Sequence, residues 1–140
     1  MTPLLLSLVQ LAAGVAIVPA PCPYTERAPE ADALEWTCYD PATRGIYLAR
    51  QDRGKLGVIF HEYGHADDVD RLTPAQRNRF KRLLGFSVRR GWWDARRSEP
   101  PAEEYAWAFS DCALGLARAK RAICDLLPLS AYGAWRGAVA

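Results

Sequence analysis

The sequence predicts an α+β fold, with a short antiparallel sheet followed by helices. The chain has 140 residues, half of them hydrophobic, which is enough for one core. Apolar and polar residues alternate in short runs before residue 50, as in strands, whereas apolar residues recur at spacings of three and four after residue 55, as in helices. We therefore expect residues 21–140 to form a single domain.

The charge balance bears on which partners the protein binds. The formal net charge is +2, and the 24% of charged residues include both signs, which argues against a nucleic-acid partner. Residues 87–101, SVRRGWWDARRSEPP, place arginines beside two tryptophans, a pattern that can also stack on bases. In a nearly neutral chain we expect instead that one tryptophan packs in the core and the other is partly exposed.

The first twenty residues contain no charged side chain, and an apolar run extends from Leu4 to Val18. The run fits the apolar region of a secretory signal, although the usual basic residues before it are missing. A helix of this length spans about 22 Å, which is short for a membrane. We expect residues 1–20 to be a signal peptide or a membrane anchor, and the protein to be secreted or associated with the cell envelope. The alternative is an N-terminal helix packed into the core.

Four cysteines form two pairs that are each local in sequence. The simplest pairing joins Cys22 to Cys38 and Cys112 to Cys124, although four cysteines allow three connectivities and could also stay reduced. Each of these disulfides would stabilise the fold by about 3 kcal/mol through loop closure. Two disulfides would fit an exported protein.

Before the first helix, two segments are expected to form strands. Residues 21–44 carry prolines and charges around one apolar segment, residues 33–40. Residues 45–50, GIYLAR, alternate apolar and other side chains. A helix is then predicted from the glycines at 54 and 57 to about Val69. Its core-facing stripe, at spacings of three and four, consists of Leu56, Ile59, Phe60 and Tyr63.

Two further helices are predicted after Arg71. Thr73 as N-cap, Pro74 at the first position and Gln76 completing a capping box mark the start of one, and Gly85 ends it. The last helix is expected to run from about Pro101 to Arg121 and to be buried in its apolar middle.

The motif HEYGH, residues 61–65, contains the only two histidines of the chain. On a helix, His61 and His65 project from one face, separate from the apolar stripe, and can hold one zinc ion at about 2.0–2.1 Å. Glu62 is then placed to act as general base. A chance occurrence has odds on the order of one in a thousand. Gly64 lowers helix propensity by roughly 1 kcal/mol relative to alanine, which predicts that another element approaches closely there.

A catalytic zinc ion needs a third protein ligand. No other histidine exists, so the candidates are the carboxylates of Asp68, Glu103 and Glu104. A third ligand from the same straight helix would strain the geometry, so Asp68 is expected to hold an imidazole through a hydrogen bond instead. Glu103 is favoured over Glu104, since a buried carboxylate without a cation is costly. The helical neighbours of Glu103 are Ala106, Trp107 and Ser110.

The segments FHEYGHADD and PAEEYAWAFSDCA together resemble the gluzincin-like zinc metallopeptidases, over roughly residues 45–113. They look especially like small bacterial proteins with an HExGH motif and a later E-x-[FY]-A-x-A-[FY] helix, and are similar to the anthrax lethal-factor-type metallopeptidase domain. The resemblance implies a minimal zincin-like fold, zinc ligands His61, His65 and Glu103, and Glu62 as the base. Many such helices carry an acid four residues after the ligand, where this chain has Trp107.

The expected activity is zinc-dependent hydrolysis of a peptide bond in a peptide or protein substrate. Residues 45–50 are expected to line the cleft and pair with an extended peptide, and Tyr47 and Tyr105 are candidates for stabilising the oxyanion. A competing hypothesis is a catalytically inactive, zinc-stabilised binding or structural protein of the cell envelope. A third is a metal-free, membrane-anchored packing domain.

Overall fold

The computed structural model describes residues 14–23 and 35–128. Most of the apolar N-terminal segment, the start of the segment 33–40 and the C-terminal tail lie outside these residues. Within them, no helix is long and apolar enough to cross a membrane. The signal peptide or anchor over residues 1–20 stays a prediction.

The chain divides into two compact units, one containing the described residues before Leu56 together with Pro128, and the other Leu56–Leu127. The first carries a three-stranded sheet, and the second carries the α-helices of the described residues. The mixed α+β content predicted from the sequence is therefore confirmed. That residues 21–140 form a single domain stays a prediction.

The sheet is built from β1 (Ala16–Val18), β2 (Cys38–Asp40) and β3 (Gly45–Tyr47), with β3 in the centre. Strand β3 pairs antiparallel with β2 and parallel with β1. The predicted short antiparallel sheet is confirmed for β2 and β3, but the sheet also contains the parallel strand β1. That strand comes from the apolar N-terminal run, which gave no strand signal. Parallel strands need a crossover connection of about a dozen or more residues. Residues 19–44, between β1 and β3, are enough for this and include β2, which lies on the opposite side of β3 from β1.

Both predicted disulfides are present. In the first unit, Cys22 and Cys38 are bonded with their Cα atoms 5.4 Å apart. In the second unit, Cys112 and Cys124 are bonded at the same Cα separation. Disulfides persist in oxidising compartments and are rare in the cytosol, so their presence indicates an oxidising environment.

The helices of the second unit are α1 (Leu56–Arg71), α2 (Pro74–Leu83), α3 (Pro101–Leu114) and α4 (Arg121–Cys124). Helix α2 begins with the predicted capping box: the Thr73 side chain accepts from the Gln76 amide and the Gln76 side chain accepts from the Thr73 amide. Its end is marked by Gly85 at a φ of 85°.

Helix α3 ends at Leu114, seven residues earlier than predicted from the apolar pattern. Gly115 follows in the left-handed conformation, with a φ of 65°, and its amide donates to Cys112. The amide of Leu116 donates to Asp111, which completes a Schellman-type cap. The chain then turns into α4, and the Cys112–Cys124 disulfide joins the two helices.

Helices α1 and α3 pack closely against each other at Gly64. A Cβ atom at this position would lie 2.9 Å from the Ala106 Cα atom and 3.0 Å from the Phe109 Cβ atom, which is too close for either to accommodate. At the other end of the contact, the Ser110 hydroxyl donates to the Gly57 carbonyl at 2.8 Å. The close approach predicted from Gly64 is confirmed, and α3 is the element that makes it.

We expect Gly64→Ala to destabilise the protein by about 1–3 kcal/mol, because overpacking forces the two helix backbones apart. Gly57→Ala is the matched control in the same helix, since its Cβ atom would meet neighbours at 3.7 and 3.8 Å, an ordinary contact distance. Because alanine has a higher helix propensity than glycine, the free energy of unfolding of this control should stay unchanged or rise by up to about 1 kcal/mol. Urea unfolding with intact disulfides measures both, and equal effects of the two substitutions would contradict the packing explanation.

Candidate metal centre

The two histidines of α1 and one glutamate of α3 converge. The Nε2 atoms of His61 and His65 are 3.1 Å apart. One carboxylate oxygen of Glu103 lies 2.9 Å from His61 Nε2, and the other lies 3.2 Å from His65 Nε2. The donor atoms of the three side chains all lie within 4.8 Å of one another, so this group could hold a metal ion.

The separations fit a tetrahedral ion. Ligands at about 2.0–2.1 Å in tetrahedral geometry are roughly 3.3 Å from each other, because the edge of a tetrahedron is about 1.6 times its centre-to-corner distance. The separation of the two Nε2 atoms, 3.1 Å, lies just below this value. Each Nε2 atom also has one of the two Glu103 carboxylate oxygens at a similar distance, 2.9 Å for His61 and 3.2 Å for His65. With one donor atom from each side chain, the three residues would fill three positions around an ion and leave one for another ligand.

The fold explains why the three groups meet. Consecutive turns of α1 align His61 with His65, and the absence of a side chain at Gly64 lets α3 pass directly beside them. Glu103 lies in the first turn of α3, where the helix dipole favours a negative charge. Its side chain is 30% exposed, so the group is reachable from solvent.

The environment sets the protonation of the three groups. Burial lowers the pKa of His61 and outweighs the hydrogen bond that the imidazole donates to Glu103, which acts in the opposite direction. Burial also acts on His65, but the hydrogen bond to Glu103 and the charge of Glu62 outweigh it and raise the pKa of His65. Burial would raise the pKa of Glu103, whereas the hydrogen bonds to both histidines hold that pKa well below its usual range. Glu103 is therefore ionised, as a metal ligand must be.

Two further acids considered in the sequence analysis, Glu62 and Glu104, do not belong to the converging group. Glu62 is buried on α1, and its negative charge acts on His65. Its carboxylate is therefore close to the two histidines and Glu103 but is not one of the converging ligand groups. Glu104 is not among the converging side chains, and burial and the negative charge of Glu99 raise its pKa. Of the predicted carboxylate candidates in the described residues, Glu103 alone joins the histidines.

The prediction that Asp68 holds an imidazole through a hydrogen bond was wrong, since its carboxylate binds two other elements instead. Its side chain is fully buried, and its two oxygens accept hydrogen bonds from Arg77 Nε at 2.9 Å and from Trp92 Nε1 at 2.8 Å. The Nδ1 atoms of His61 and His65 have no hydrogen-bond partner in the described part of the chain. Asp68 thus joins α1 to α2 and to the segment that precedes α3.

Tyr105, considered as an oxyanion stabiliser, is also structural. Its hydroxyl is fully buried and donates to Asp67 at 2.5 Å. Arg71 forms two hydrogen bonds of 2.9 Å with the same carboxylate. The hydroxyl is therefore already hydrogen-bonded within the Asp67–Arg71 ion pair. Burial and the charge of Asp67 raise the pKa of Tyr105. Tyr47 belongs to the first unit, where its hydroxyl lies 3.1 Å from that of Thr43, and its role stays a prediction.

Two exposed tryptophans flank the histidines. As predicted, Trp92 is buried and Trp93 is 55% exposed. The Trp93 ring stacks on His65 with ring centroids 5.5 Å apart, and the Trp107 ring lies 3.9 Å from that of His61. Trp107 is 39% exposed, contrary to the expected burial of this part of α3. Its place could have been inferred from its position four residues after Glu103, on the same helix face.

Comparison of the chain with protein-family models, with curated proteins and with solved structures gives no match. Function is therefore inferred from the geometry and chemistry of the described residues.

We expect Trp92→Phe to destabilise the protein by about 1–3 kcal/mol, because it removes a hydrogen-bond donor from the buried Asp68 carboxylate. Trp93→Phe makes the same chemical change one residue later on an exposed ring, and should alter the free energy of unfolding by less than about 0.5 kcal/mol. Thermal or urea unfolding of the two variants measures the difference. Equal stability of both would show that the bond to Asp68 does not brace the fold.

Proposed function

We propose that this protein is a zinc-dependent hydrolase of peptide bonds, of the gluzincin-like kind suggested by its sequence. The observation that supports it most strongly is the convergence of two helical imidazoles and a carboxylate from a second helix. Two histidines and one glutamate are a ligand set of catalytic zinc ions. The disulfides fit action outside the cytosol, in a secreted or envelope-associated protein.

The number of ligands favours a catalytic over a purely structural ion. Structural zinc sites are closed by four protein ligands, whereas catalytic sites have three and leave one position for water or substrate. Among the described residues, the converging group contains three side chains and no fourth histidine, cysteine or acid. The partial exposure of Glu103 gives a substrate access to it.

In the proposed mechanism, His61, His65 and Glu103 would hold the ion. When bound, zinc supplies a Lewis acid that polarises the scissile carbonyl and lowers the pKa of water. Glu62 takes a proton from the attacking water and later delivers it to the leaving amine. The exposed indole rings beside the two histidines offer apolar surface for the substrate chain.

A second candidate is a catalytically inactive zinc protein of the cell envelope that binds a partner. The observation that favours it is the commitment of the Tyr105 hydroxyl to Asp67, which removes one candidate donor for the oxyanion. Both candidates require the metal, so metal content distinguishes them only from a metal-free packing domain. Peptide cleavage that depends on Glu62 distinguishes the hydrolase from the inactive binding protein.

Purified wild-type protein should contain one zinc ion per chain, measured by elemental analysis after dialysis. His65→Ala and Glu103→Ala should each lose more than about 100-fold in zinc affinity, since even partners outside the ligand shell are typically worth 10–100-fold. Glu104→Ala changes the neighbouring acid of the same helix turn and should retain the ion. Zinc retention by Glu103→Ala, with the fold verified by circular dichroism, would remove Glu103 from the ligand set.

The Glu62→Gln variant should bind zinc as the wild type does and lose activity against a mixed peptide library. We expect a fall in kcat/KM of at least about 100-fold, the usual contribution of a general base. Mass spectrometry of the library identifies new peptide termini. If zinc-loaded wild type and variant both cleave nothing, the hydrolase proposal fails and the binding protein is favoured.

A further inference from the structure

A basic cavity of about 650 Å³ lies in the segment between α2 and α3. Its charged lining consists of Arg89, Arg90, Arg96, Arg97 and Asp94, four positive groups and one negative, so the lining has an excess of three positive charges. None of these residues belongs to the candidate metal centre. Convergence of like charges is unfavourable unless an anion or another acid offsets it.

The arginines divide into those with and without a partner. Arg96 pairs with the Asp94 carboxylate at 3.0 Å, which neutralises the single acid of the lining. The side chains of Arg89 and Arg97 have no hydrogen bond or ion pair within the described residues. Two guanidinium groups are therefore available in one concave surface, and guanidinium matches a carboxylate with two parallel hydrogen bonds.

The cavity is braced by hydrogen bonds to the backbone. Arg90 donates to the carbonyl groups of Asp94, Ser98 and Glu99, at distances of 2.8 to 3.1 Å, and so ties together both sides of the segment. From α2, Lys81 donates to the Val88 carbonyl at 3.2 Å. Because these bonds fix the walls in advance, binding an anion requires little ordering of the segment.

Trp93 connects the cavity to the metal centre. It stacks on His65, and in the chain it lies between Arg89 and Arg97, four residues from each. Four residues span at most about 14 Å, which limits the distance between the Trp93 backbone and those of the two arginines. An extended peptide covers a distance of this size with about four residues.

We propose that this cavity binds the carboxylate of an acidic residue that lies within about four residues of the scissile bond of a peptide substrate. The assignment to a substrate rests on the proposed hydrolase function, whereas binding of the carboxylate itself needs no metal. Asp94 within the lining and the small net charge of the chain disfavour a nucleic acid, which would be held by an extended basic surface.

The test is fluorescence anisotropy with labelled ten-residue peptides that contain either two glutamates or two glutamines at the same positions. Wild-type protein, with and without zinc, should bind the glutamate peptide at least about tenfold more tightly, and added salt should weaken it. Arg89→Gln/Arg97→Gln should abolish the preference. Arg79→Gln/Arg82→Gln removes the same charge from exposed positions of α2 and should keep the preference within about twofold.

Equal effects of the two double variants, or equal binding of the two peptides, would overturn the proposal. So would a single-stranded oligonucleotide that binds more tightly than the glutamate peptide through Arg89 and Arg97. The inactive Glu62→Gln variant separates this proposal from the hydrolase function. Preference for glutamate in that variant supports the cavity even if no peptide is cleaved, and cleavage without any acidic preference disproves the cavity alone.

Discussion

The contact between α1 and α3 at Gly64 is the constraint on which the metal centre depends. Both imidazoles belong to α1, so they meet wherever that helix forms, but the carboxylate of Glu103 comes from a helix that begins about forty residues later. It reaches the imidazoles because the α3 backbone passes within ordinary contact distance of a residue without a side chain. A larger residue at this position would force the two helices apart and move Glu103 away from the imidazoles.

Two buried aspartates stabilise the arrangement around that contact. Asp67 bonds to Tyr105 across the helix interface, and Asp68 bonds to Trp92 and Arg77. Negative charges at the end of a helix are unfavourable on their own, and burial adds to this. Here each aspartate accepts hydrogen bonds from one arginine and one aromatic side chain, which offsets this cost. The two aspartates thereby connect elements that are distant in sequence.

The sequence predicted the parts of the site whose chemistry is local or nearly unique. The histidine pair follows from a spacing of four, both disulfides from the pairing of neighbouring cysteines, and Glu103 from the lack of a cation among its helical neighbours. Long-range contacts left weaker signals. The early end of α3 is marked by Gly115, although the apolar pattern continues beyond it. The bonding partners of Asp68 and the parallel pairing of β1 depend on tertiary packing, which no short pattern contains.

The imidazole rings are oriented in an unusual way. Ligand histidines are usually fixed through their second nitrogen, yet Nδ1 of His61 and of His65 has no partner within the described residues, and each ring instead rests against an indole. If this group holds an ion, a ligand that shifts an indole would change the affinity for that ion. By thermodynamic reciprocity, the ion would then change the affinity for that ligand by the same factor. Occupancy of the two would then be coupled.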